Sequence, residues 1–200
     1  MPIDGALYEY QPSFILGFHG CDKAVGEKIL SGQEPHLKPS EKTYDWLGHG
    51  IYFWEGNLSR AQEWAEDRKA EGKIDRPFVL GAIIDLRHCL DLFDLGSMRQ
   101  VEQAHKSIVS ILNAAGKPIP ENKGKTPDKA ARHLDCLVLN TLHELRVEQH
   151  LPAYDSVRGP FLEGEPLYPG AGFRSHSHIQ ICVRETACIK GYFRPINGAS

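Results

Sequence analysis

The chain has 200 residues, 41% apolar and 24% charged, with a formal net charge of −3. Such a length suits one domain with a real core, and the charge balance argues against a strongly basic nucleic-acid footprint, leaving only a local patch open. No run of about 18 apolar residues occurs, so no membrane span is expected, and the opening MPIDGALYEYQPS lacks the basic-then-apolar order of a secretory signal.

Five cysteines, Cys21, Cys89, Cys136, Cys182 and Cys188, are odd in number and scattered. That pattern fits reduced thiols in a cytosol better than a disulfide framework, so a cytoplasmic location is expected. Phe14 to Phe18 is an apolar run that predicts a buried strand delivering His19 to its end. Asp22 predicts an N-cap for a helix through Leu30, with Gly32 as its stop. The segment 33–47 is polar and proline-bearing and predicts loop. Ile51 to Trp54 predicts a second strand. Asn57 or Ser59 predicts the cap of a helix to about Gly72, with Ala61, Trp64, Ala65 and Arg68 on one side. Phe78 to Ile84 is the most strand-like run in the chain.

Met98, Val101, Ile108, Val109, Ile111 and Leu112 repeat at helical spacing. Residues 116–124 predict a loop, and Thr126-Pro127 predicts a helix start. Leu134, Leu137, Val138, Leu142 and Leu145 then form an apolar stripe ending before Pro152. The glycine- and proline-rich segment 154–177 predicts a long loop of the kind that carries function. Ile179 to Val183 predicts a strand, and Ile189 to Phe193 another. The expectation is one α+β domain over residues 1–200, with a helical insertion at about 96–150.

Two short motifs carry chemistry. His19-Gly20 at a strand end offers an imidazole for a ribose hydroxyl and a bare backbone that a carboxamide can approach closely. Alone, such a pair reads as a solvated turn. Gly48-His49-Gly50-Ile51-Tyr52-Phe53 puts Tyr52 on a strand where its ring can face a cleft and stack on a flat ring. Alone, Tyr52 reads as a core tyrosine.

Together and in this order, the two motifs resemble the poly(ADP-ribose) polymerase branch of the ADP-ribosyltransferases. Those proteins carry a His-Gly, a short helix and a Gly-Lys-Gly-Ile-Tyr-Phe motif, then a Ser-Lys-Ser and a second tyrosine. Here Ser59-Arg60-Ala61 and Trp64 follow. The resemblance covers roughly residues 14–65 and 178–193. It implies split β-sheets with flanking helices and NAD as substrate, with no metal. It implies that His19 holds the adenine-side ribose and that Gly20 grips the carboxamide. Tyr52 and Trp64 would sandwich the nicotinamide ring, and Ala61 stands where the family's carboxamide-binding serine does. The family's catalytic glutamate falls on Gln180, whose amide oxygen can still accept a ribose hydroxyl's hydrogen bond but cannot act as a base. Asp155, Glu163, Glu165 and His178 are the candidates for activating an acceptor, against the plainer readings of a solvated acidic turn and a solvated edge strand.

The activity so implied is mono-ADP-ribosylation of a protein or nucleic-acid acceptor with release of nicotinamide. The resemblance further implies a bacterial or phage-encoded toxin, effector or anti-phage factor, delivered into a target cell or restrained by an antitoxin or immunity partner. Polymer synthesis is not expected, since chain elongation in the family relies on the glutamate. The competing readings are an NAD glycohydrolase and a catalytically silent NAD- or ADP-ribose-binding module; an RNA 2'-phosphotransferase ranks below both. His176, His178 and Cys182 as metal ligands, Cys21 as a nucleophile, and Arg158 or Arg174 as pyrophosphate ligands rank lower still, as does a basic cluster at Lys117, Lys123, Lys125, Lys129 and Arg132.

Overall fold

Asp22 ends one strand and starts one helix. Its carboxylate accepts from Ala24 N at 2.9 Å, satisfying an orphan donor of the first turn. The computed structural model describes residues 10–124 and 131–196. In chain order it contains β1 (Tyr10–Asp22), α1 (Lys23–Leu30), β2 (Ile51–Glu55), α2 (Leu58–Ala70) and β3 (Pro77–Asp91). These are followed by α3 (Leu95–Ala114), β4 (Asn122–Lys123), β5 (Ala131–Arg132), α4 (His133–Glu148), β6 (Ser156–Phe161), β7 (His178–Val183) and β8 (Ile189–Phe193). The class is α+β. No helix among the described residues is long and apolar enough to cross a membrane.

The strand pairings close on themselves. β1 runs antiparallel to β3 and also meets β2 at Phe18↔Trp54. β2 pairs with β7, with Trp54 opposite Gln180, and β7 pairs with β6, with His178 opposite Phe161. β6 returns to the far end of β3 in parallel, Cys89↔Ser156. β8 adds to β3 from Gly81 to Ile84. One six-stranded sheet results, in the order β1-β2-β7-β6-β3-β8, with the 15-residue β3 also pairing β1. Phe53, Leu80, Ile84 and Ile181 share one core cluster, all at 0% exposure. Arg158 fastens β6 to the other strands, donating to Glu55 at 2.6 and 2.8 Å and to Asp91 at 3.1 Å.

Helices α3 and α4 share a core with the sheet: Ala104, Ile108, Val138, Leu139 and Leu142 pack with Leu90, Val157 and Cys182. The expected insertion therefore forms one wall of the sheet's packing. Its second helix reaches the motif turn, because Asn140 Oδ1 accepts from His49 N at 3.1 Å. The start of α4 is capped from a distance, with Asn122 Oδ1 accepting from Leu134 N at 2.9 Å and Asp135 N at 3.2 Å. The expected helix start at Thr126-Pro127 lies outside the described residues. So do Lys125 and Lys129 of the basic cluster.

Two expectations are corrected. The 154–177 segment is not all loop, since its first part is β6, a strand paired on both sides. Pro160 lacks a ladder donor, yet its exposed side tolerates the loss. Residues 163–176 then double back as a hairpin, with His176 N donating to Glu163 O (3.1 Å) and Ser175 N to Glu165 O (2.9 Å). β3 also extends well past Ile84 to Asp91, with Arg87 at φ +50° inside the strand.

Candidate active site

Alternation along β2 puts Tyr52 and Trp54 on one face. The register adds Gln180 beside Trp54, and His178 two residues along. α2 crosses this floor, and the loop before β2 closes the other side. The result is a cleft of about 350 Å³ lined by His19, Gly20, Ser40, Lys42, Tyr44, Asp45, Trp46, Tyr52, Trp54, Arg60, Trp64, Arg68, Phe161, Glu163, His178 and Gln180. Larger hollows of about 510, 630 and 590 Å³ lie beside Phe78, beside His143 and beside Glu63. The smaller cleft is the better candidate because it alone of the four gathers side chains from β1, β2, α2, β6 and β7.

Seven of the residues singled out in the sequence meet there: His19, Gly20, Tyr52, Trp64, Glu163, His178 and Gln180. Ala61 does not. It is fully buried, and its carbonyl oxygen would sit 2.4 Å from a Cβ placed on Gly20. The small pair Gly20 and Ala61 therefore lets α2 lie against β1, and Ala61 has no surface to offer a ligand. Glu165 is exposed and outside the cleft.

The His19 imidazole hydrogen-bonds Tyr52 O through Nδ1 at 2.8 Å. A carbonyl only accepts, so Nδ1 carries the proton and Nε2 keeps a lone pair for a ligand. Burial holds His19 below the ordinary histidine range, so it stays neutral. The Tyr52 hydroxyl donates to Gly48 O at 2.7 Å and accepts from Leu47 N at 2.9 Å. These bonds leave its ring as the part available to the cleft. Burial lifts this phenol well above its usual range. Gly48 sits at φ +78°, where only glycine is unstrained, which is what brings its carbonyl to the tyrosine. Trp64 packs near Trp54, ring centroids 5.9 Å apart, and carries the Arg68 guanidinium 5.0 Å over its ring.

Gln180 departs from its expected role. Its Oε1 accepts the Trp46 indole N–H at 2.6 Å. Indole nitrogen only donates, so this bond fixes the amide with Oε1 towards Trp46 and the NH₂ on the other side. One oxygen lone pair is spoken for, and the group left free is a donor. Trp46 packs edge-on against Phe161 at 5.0 Å.

Glu163 accepts from Arg60 Nη2 at 2.8 Å, while Arg60 Nη1 binds Glu63 at 2.8 Å. His178 is no solvated edge residue: its side chain is 1% exposed and its ring stacks on Phe161 at 5.4 Å. Its Nδ1 donates to His176 O at 2.6 Å, and burial holds its pKa below the ordinary value. Three buried polar atoms of the lining have no hydrogen-bond partner among the described residues: Trp54 Nε1, Arg60 Nε and His178 Nε2. Orphaned groups are rare in folded proteins, and each of these three atoms has almost no accessible surface of its own.

The lower-ranked residues are accounted for by packing. Arg158 is committed to Glu55 and Asp91, and Arg174 donates to Gly164 O at 2.9 Å. Burial pushes the Cys21 thiol up to about 11 and the Cys182 thiol up to about 12, far from nucleophilic thiolates. His176 pairs with Glu63 at 3.2 Å and does not converge with His178 and Cys182; among the described residues no three such side chains form a metal-ligand cluster. Sequence reasoning missed Trp46, Trp54 and Arg60. Trp54 was readable as the same-face neighbour of Tyr52, and Arg60 as the position one turn before Trp64 on α2. Trp46 had no local signal.

Compared with protein-family models, with curated proteins and with solved structures, the chain matches none.

Proposed function

We propose that this chain is an NAD-dependent mono-ADP-ribosyltransferase with an ADP-ribosyltransferase-like split sheet. One observation carries the reading. His19, Gly20, Tyr52, Trp64 and Gln180 come from separate parts of the sequence, stand at the positions of a family's motif order, and line one cleft. The neutral His19 with a bare Nε2 suits a ribose hydroxyl. Gly20 has no side chain between its backbone and an incoming amide. Tyr52 on β2 and Trp64 on α2 offer two aromatic rings from separate elements for a flat ring.

In this reading the nicotinamide of NAD enters between Tyr52 and Trp64. The bond from ribose C1' to the pyridinium nitrogen breaks with its electron pair leaving on nitrogen, so nicotinamide departs neutral. The sugar passes through an oxocarbenium-like state. Gln180 orients the sugar without charge and takes no proton. Acceptor activation therefore falls to another group of the cleft, and chain elongation is not expected. A second reading has one specific support: with Oε1 of Gln180 held by Trp46, the cleft suits an NAD- or ADP-ribose-binding module that does no chemistry.

The test is nicotinamide release from NAD by purified protein, with and without cell lysate, beside Tyr52→Ala. Release that needs Tyr52 and rises with lysate supports transfer. Equal release without lysate makes the protein a glycohydrolase. Binding of NAD without release leaves the binding module, and no binding at all refutes both.

A further inference from the structure

A further hollow, of about 320 Å³, opens between α3 and α4. Met98 and Val101 of α3 line it together with Leu134 and Val138 of α4, each pair falling on one stripe of its helix. Leu92 and Trp46 add to the apolar lining. The charged groups among the lining residues are already matched. Glu102 pairs with Lys106 at 2.7 Å, and the Asp135 carboxylate accepts from Arg132 at 3.2 Å and from Asn122 Nδ2 at 2.8 Å. These pairs call for no counter-ion, so the complement of the hollow is a neutral molecule. A cavity of ~150 Å³ binds benzene, so about 320 Å³ admits two fused rings. Met98 and Trp46 favour an aromatic occupant through sulfur–ring and ring–ring contact.

Trp46 is the residue that this hollow shares with the candidate NAD cleft. Its Nε1 donates to Gln180 Oε1 at 2.6 Å, inside the cleft. Its Cη2, at the far edge of the ring, would lie 3.1 Å from a Cβ placed on Gly159, as Leu92 Cδ1 would at 3.0 Å, and Leu92 lines the hollow. The indole thus reaches from one space to the other. We propose that the hollow between α3 and α4 binds a small neutral aromatic molecule, and that Trp46 couples its occupancy to the cleft. An occupant restrains the half-buried indole. The indole in turn holds the Gln180 amide in one orientation, so NAD meets a site that is already organised. The coupling rests on the transferase reading and its NAD site, whereas binding of the aromatic molecule does not. Coupling of this kind is reciprocal: NAD raises affinity for the aromatic molecule by the same factor.

Indole is the probe, titrated into the isotopically labelled chain by NMR, with and without a non-cleavable carbocyclic NAD analogue. Saturating shifts are expected at the backbone amides of Met98, Val101, Leu134 and Val138, with a midpoint at or below about 1 mM, a fair affinity for so small a molecule. The Trp46 indole N–H and the Gln180 side-chain NH₂ are expected to shift with the same midpoint. Saturating indole is expected to raise affinity for the analogue about fivefold, the lower end of allosteric coupling, and the analogue to raise indole affinity equally. Met98→Trp fills the hollow from a position that is 50% exposed and is expected to weaken indole binding by about tenfold or more. Val101→Asp puts a charge into the hollow and carries the test if Met98→Trp fails to fold. Shifts that miss α3 and α4, or that both variants leave unchanged, overturn the site. Competition between indole and the analogue, or independence of the two, overturns the coupling. A dimer in sedimentation that Met98→Trp breaks gives the hollow to a second copy and overturns the proposal. An analogue that fails to bind while indole still saturates the hollow removes the transferase reading and leaves the aromatic site standing.

Discussion

Gly20→Ala separates a packing requirement from a ligand contact at the same residue. A Cβ built on Gly20 lies 2.4 Å from the Ala61 carbonyl oxygen and 3.0 Å from the nearest Trp64 ring carbon, where ordinary contact begins at 3.4 Å. The nearer obstacle is helix backbone, which cannot rotate away, so α2 must retreat by roughly 1 Å. Overpacking of this kind costs about 1–3 kcal/mol. For a chain of this size that is a fall in melting temperature of about 2–12 °C. Because Trp64 rides on α2, the same retreat widens its spacing from Tyr52. Misplacement of about 1 Å costs on the order of 100-fold in a positioned reaction. The assay pairs thermal unfolding with nicotinamide release. Wild-type stability in Gly20→Ala would refute the close-approach argument, since it would mean that α2 and β1 accommodate a methyl group where the structure leaves no room.

Trp46→Phe keeps the ring against Phe161 and removes the only observed partner of Gln180 Oε1 among the described residues. Leaving that part-buried oxygen unpaired is expected to cost about 1–2 kcal/mol in urea denaturation, and the Gln180 side-chain amide signals should shift in the NMR spectrum. Unchanged amide signals would contradict the assigned orientation. His143 on α4 is 6% exposed with its Nε2 unpartnered among the described residues, and burial pushes its pKa down to about 3 from 6.5. Between those values the unfolded chain binds a proton that the folded chain does not, so stability falls as pH drops through the window. The loss is about 1.4 kcal/mol per pH unit well inside it. His19 and His178, also lowered, act in the same direction. His143→Phe should therefore shrink the stability difference between pH 7 and pH 4.5 by about 2–3 kcal/mol, and an unaltered difference would contradict the burial argument.

Local chemistry made the first third of the chain legible. Asp22 and Asn57 cap α1 and α2 as their side chains predict, and Gly32 at φ +77° follows α1. β2 and β7 stood out by apolar runs. β6 did not, because Ser156-Val157-Arg158-Gly159-Pro160-Phe161 carries the residues that usually mark turns, and its place between β3 and β7 is a long-range fact. The polar Asp85 and Arg87 likewise hid the second half of β3. At the cleft, the motif residues were readable because their order resembles a known pattern. What they do to one another was not: the Trp46 bond that turns Gln180, the Ala61 carbonyl that forbids a side chain at position 20, and the burial that makes His178 neutral all arise from contacts between distant segments.

The NAD site is tested most directly by a crystal structure of the chain with a non-cleavable carbocyclic NAD analogue. The nicotinamide ring is expected between Tyr52 and Trp64, its amide on the Gly20 backbone, and a ribose hydroxyl at His19 Nε2. An analogue bound elsewhere, or one that leaves the Tyr52–Trp64 space empty at saturating concentration, would contradict it.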